Sequence, residues 1–155
     1  MTQIFTAAPI WVWPLLAILI IFGMRARRDR TAPAFLIYAM PLLAILALSS
    51  TNALPAGSWI WLVFAGVYLV GVWAGHRMQA GWLLGREGRL VRLKGESLTL
   101  VVIMVVFWAN FVGGSLRAVA PQVYASARFH AVFTAILAIC AGSFAGRAVR
   151  VWQAD

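Results

Sequence analysis

Five uninterrupted apolar runs, at roughly residues 9–24, 34–49, 58–75, 97–116 and 129–146, contain no Asp, Glu, Lys or Arg. An α-helix needs about 20 apolar residues to cross the hydrocarbon core of a bilayer, and each run reaches or approaches that length. The first two are short and lean on flanking Trp, Tyr and Arg to bridge the mismatch. The runs are continuously apolar rather than alternating, which excludes a transmembrane β-barrel and leaves helices. With 63% hydrophobic and 11% charged residues, against about 25% charged in ordinary soluble domains, there is too little polar surface to coat a water-soluble globule. The expected fold is therefore all-α. It is a single polytopic bundle of about five spans over residues 1–155, with a polar loop at 77–96. The opening MTQIFTAAPIWVWP lacks a basic stretch and a small-residue cleavage site, so the first run is retained as a helix.

Basic residues orient the bundle. Arg25, Arg27, Arg28 and Arg30 follow the first run, Arg77, Arg86, Arg89, Arg92 and Lys94 follow the third, and Arg147 and Arg150 follow the fifth. That puts eleven of thirteen on one side, leaving Arg117 and Arg128 on the other. The positive-inside rule then expects the N-terminus outside and the C-terminus in the cytoplasm. Tryptophans give the same answer: Trp11, Trp13, Trp59 and Trp61 mark one boundary, and Trp73, Trp82 and Trp152 the other. All four acids, Asp29, Glu87, Glu96 and Asp155, fall in the basic flanks as solvated charge. The net charge of +9 is spread in clusters at the ends of apolar runs, which suits anionic headgroups rather than nucleic acid.

Few residues offer chemistry. His76 and His130 are expected at opposite ends of the membrane, so they share no metal, and each is a candidate axial haem ligand. Cys140 has no cysteine to pair with and reads as a packed thiol. No HExxH, CxxC, GxSxG or phosphate-binding glycine loop occurs. Pro41 should kink the second helix. Asn110 and Arg117, seven residues apart, share a helix face, and with Pro41 they mark either a polar path or interhelical hydrogen bonding. Small residues recur every four positions at Gly71 and Gly75, at Ala109 and Gly113, and at Ala138, Gly142 and Gly146. That register lets helix backbones approach closely, within a monomer or across a homo-oligomer. Within 77–96, Gly85-Arg86-Glu87-Gly88 is a turn signal followed by the partly alternating Leu90-Val91-Arg92-Leu93-Lys94, which suits a short hairpin on the headgroups or else the amphipathic end of the third helix. Ser97 is expected to cap the fourth helix.

The stretch WVWPLLAILIIFGMRARR, Pro41 in the second span, and RLVRLKGESLTLVVIMVVFWANFVGG together resemble a family of small bacterial multi-pass inner-membrane proteins classed as a domain of unknown function. The resemblance covers nearly the whole chain and implies a bacterial inner-membrane location. More distantly, the chain is similar to small proteins associated with cytochrome c biogenesis, which would imply thiol or haem chemistry. The residues themselves point to a non-enzymatic accessory or interaction subunit without a cofactor. Its basic face, with Arg86, Arg89, Arg92 and Lys94, would meet anionic lipid, a membrane-protein partner or a second copy. The alternatives are a transport component for a small solute or lipid, and a haem-associated redox subunit.

Overall fold

The computed structural model describes residues 12–153; Pro9, Trp11 and Asp155 lie outside the described residues, as do the side chains of Arg86 and Glu87. Helix α1 (Val12–Ala26) is followed by strand β1 (Arg30–Pro33), α2 (Ala34–Ala39), a single 3-10 turn (Met40–Leu42) and α3 (Leu43–Asn52). Next come α4 (Trp59–Ala80), strands β2 (Leu83–Glu87) and β3 (Leu90–Leu93), α5 (Leu98–Val119), the short α6 (Pro121–Tyr124) and α7 (Ala127–Trp152). Four of these segments, Ala34–Asn52, α4, α5 and α7, are long and apolar enough to cross a membrane; α1 is a shorter apolar helix.

Helix α7 is the axis of the bundle. Of its apolar stretch 67% is buried, against 17–24% for the other three. Helix α4 lies along it at backbone contact. A Cβ on Gly71 would stand 2.6 Å from the Ile139 carbonyl oxygen, and Cβ atoms on Gly75, Gly142 and Gly146 would press still harder on Ser143, Tyr68 and Val72. These four glycines interlock because the absence of side chains lets two helices dock backbone to backbone. Ala138 is fully buried in the same helix, in a cluster with Ala47, Phe64, Phe133 and Leu137. Gly113 brings α5 against Phe133 of α7.

Pro41 sits within the 3-10 turn. Lacking an N–H, it leaves the Ile37 carbonyl to accept from Met40 instead, which tightens the helix by one residue. The second apolar run is thus two helices joined without a gap through this turn.

At the end where α1 and α4 finish, the chain builds an antiparallel sheet in the order β1-β3-β2. Gly88, with φ +58°, makes the turn between β2 and β3, a conformation available to glycine at no steric cost. Val91 and Leu93 point into a cluster with Ala32, Ala34, Ile37, Ala148 and Val151, while Leu90 and Arg92 face away. Two sequence expectations change here: residues 77–80 continue α4 instead of beginning a loop, and α7 runs to Trp152 instead of ending near residue 146, while the hairpin expected within 77–96 is present as β2 and β3. The added strand β1 pairs Thr31 with Arg92 and Ala32 with Val91.

The glycine seam has a direct test. Gly142→Ala and Gly146→Ala are each expected to cost about 1–3 kcal/mol through overpacking. Gly66→Ala and Gly114→Ala meet nothing within 4 Å and should be neutral or stabilising by up to about 1 kcal/mol through helix propensity. Thermal unfolding of the purified protein in detergent separates the two pairs.

Candidate functional site

Among the described residues, a buried polar network lies where α7, α4, the end of the hairpin and the start of α5 converge. Its centre is Arg147, only 2% exposed. Three guanidinium nitrogens donate to three parts of the chain: Nε to Gln79 Oε1 at 2.9 Å, Nη1 to Thr99 Oγ1 at 2.9 Å, and Nη2 to Glu96 Oε1 at 3.0 Å. The rings of Trp82 and Phe144 lie 5.5 and 5.8 Å from its central carbon, so the cation is also faced by π density.

Glu96, 8% exposed, answers this charge. Its Oε2 accepts from the Thr99 backbone N–H at 2.9 Å, and its Oε1 accepts from the Thr99 hydroxyl. The carboxylate therefore caps α5, while the Ser97 side chain makes no capping bond. An anion at the first turn of α5 and a cation near the last turn of α7 both match the helix dipoles. The expectation that Glu96 is a solvated flank charge is overturned: it and Arg147 are both desolvated, and each supplies the counter-charge the other needs.

Backbone contacts extend the latch to α1. The Glu96 N–H donates to the Ala26 carbonyl at 2.9 Å, and the Gly95 N–H to Asp29 Oδ1 at 2.7 Å. A Cβ on Gly95 would collide with the Arg27 carbonyl, so only glycine allows this approach.

The remaining candidates are dispersed. His76 Nε2 lies 2.8 Å from Gln153 Oε1 near the sheet end. His130, 2% exposed, sits at the far end with the Tyr124 and Phe129 rings edge-on to it. Asn110 accepts from the Ser50 hydroxyl at 3.0 Å and donates to the Val106 carbonyl at 2.9 Å, tying α5 to α3. Arg117 is exposed at the end of α5. An apolar groove of about 750 Å³ runs between α5 and α7, lined by residues such as Val105, Trp108, Val112 and Val132; Pro41, Asn110 and Arg117 are not part of it. Among the described residues, no three His, Cys, Asp or Glu side chains converge as metal ligands.

Sequence reasoning missed the latch because Arg147 ends an apolar run and Glu96 precedes another. The available signal was the Glu96-x-x-Thr99 spacing, which matches a carboxylate reaching a backbone N–H three residues on. Replacing Arg147 by Met leaves Glu96 buried without a counter-charge and should cost about 3–5 kcal/mol, whereas the double change Arg147→Met with Glu96→Leu should recover most of it. Arg147→Lys keeps the charge but loses the planar fork and should fall between. Denaturant unfolding of the four proteins checks the order, and a double variant as unstable as Arg147→Met would refute the latch.

Comparison with protein families, with curated proteins and with solved structures finds no match to this chain.

Proposed function

We propose that this chain is a non-enzymatic multi-pass protein of a bacterial inner membrane, with the N-terminus outside and the C-terminus in the cytoplasm. In this reading it belongs with the small inner-membrane proteins it resembles. Its role is to hold a rigid basic platform against anionic lipid headgroups, where a partner protein or second copy could also dock.

The observation that carries this reading is the sheet. Along β3 and just beyond it, Val91 and Leu93 are buried against the bundle, while Arg92 and Lys94 alternate with them and are exposed; Arg89, in the turn, is exposed too. Arg25, Arg27 and Arg28 at the end of α1 and Arg77 in the last turn of α4 are exposed at the same end of the molecule. Arg77 spreads over the Trp73 ring at 5.2 Å, a pairing suited to a membrane interface. Each such cation near an anionic surface contributes about 1 kcal/mol.

The transport reading gains less support, since Asn110 is engaged by Ser50 and the groove between α5 and α7 is apolar. The haem reading gains little from a packed His130 and a His76 already paired with Gln153.

Combined replacement of Arg89, Arg92 and Lys94 by Gln should leave insertion and folding intact. It should also weaken the preference for phosphatidylglycerol over phosphatidylcholine by roughly tenfold or more, from about 1 kcal/mol per cation. Native mass spectrometry of the detergent-purified protein with each lipid measures the preference, and an unchanged lipid profile would sink the platform role. A reporter fused after Asp155 that fluoresces only in the cytoplasm tests the orientation separately.

A further inference from the structure

The end of the bundle opposite the sheet holds a second polar cluster, which the basic platform does not use. Thr51 on α3 and His130 and Thr134 on α7 are 1%, 2% and 0% exposed. Both threonine hydroxyls and His130 Nε2 find no hydrogen-bond partner among the described residues.

These three side chains lie on facing stripes. Ala47 and Thr51, four residues apart, share one face of α3, and Leu54 just beyond its end continues that face. On α7, His130, Thr134, Leu137, Ala138 and Ala141 share a face at helical spacing. Ala47, Leu54, Leu137, Ala138 and Ala141 all belong to one core cluster, so the two stripes close on each other. Thr51, between Ala47 and Leu54, therefore meets the part of α7 that carries Thr134, with His130 one turn away. Tyr124 and Phe129, packed against the same cluster, cover the end.

Buried polar atoms in native proteins are nearly always satisfied by protein or by ordered water, and a buried water commonly makes about three hydrogen bonds. We propose that Thr51, His130 and Thr134 form a hydration site whose ligand is a single water molecule. The water accepts from one threonine hydroxyl and donates to His130 Nε2 and to the other hydroxyl oxygen, which matches the donors and acceptors these groups carry. The site holds α3, the later part of the second apolar run, to the central helix.

The test uses the full chain in detergent. Thr134→Val keeps the shape but removes a partner of the water, and should lower the melting temperature by roughly 3–6 °C, while Thr134→Ser, which keeps the hydroxyl, should retain most of the stability. Radiolytic hydroxyl-radical labelling, which marks side chains beside bound water, should modify His130 in the unaltered protein despite its burial, and should spare it in Thr134→Val. A melting temperature that rises or stays level in Thr134→Val means a dry seam and overturns the proposal. So does an unmodified His130 in the unaltered protein, which decides the matter alone if the valine variant does not fold.

Discussion

Arg147 is a full charge taken out of water, and much of the architecture at the sheet end follows from what that charge requires. A buried guanidinium without a counter-charge would be strongly destabilising. Glu96 must therefore be drawn under the bundle, and with it the end of β3 and the first turn of α5. Once Glu96 is placed, its own N–H meets Ala26, and Gly95 meets Asp29, so α1 is fixed as well. The sheet is then anchored from below by Val91 and Leu93 and at its margin by this pair. A buried ion pair adds little net stability by itself. Its consequence is positional: one side chain sets the mutual placement of α1, α4, α5, α7 and the hairpin.

Much of the fold was legible because long apolar runs without charge are unmistakable. Runs without charge located the helices, the Gly71/Gly75 and Gly142/Gly146 spacing located the tightest helix pair, and the alternation from Leu90 to Lys94 located β3. Strand β1 was hidden because Arg30–Pro33 has no alternating pattern of its own and is strand only through pairing with residues about sixty positions later. The helix ends were misplaced for a related reason: an arginine interrupts a hydropathy pattern without interrupting a helix. Arg147 and Arg77 both lie inside helices that continue past them.

The same blindness affected the site. A charge at the edge of an apolar run is usually solvated, and only its partner's position shows otherwise. Glu96 and Arg147 are 51 residues apart, and no local pattern ties them. Thr51, His130 and Thr134 were hidden in a different way: isolated polar residues in an apolar helix carry no signal until the facing helix is known.

The interior of this bundle holds small and polar residues among its apolar ones, while large apolar side chains cover much of its surface. The outward faces carry Phe22, Phe35, Leu62, Leu69, Trp73 and Trp152, all more than 60% exposed, whereas the buried residues of α7 include Thr134, Ala138, Cys140, Ala141, Gly142, Ser143 and Gly146 beside Phe133, Leu137 and Phe144. In water that distribution would be inverted. In hydrocarbon it follows directly, since burying a leucine there gains no hydrophobic energy and helices associate through close contact and hydrogen bonds. It also explains why both polar clusters involve α7: the most enclosed helix is where a desolvated polar group is reached by several neighbours at once. Arg147 meets those neighbours in full, and that completeness makes the sheet end a rigid support for exposed charge.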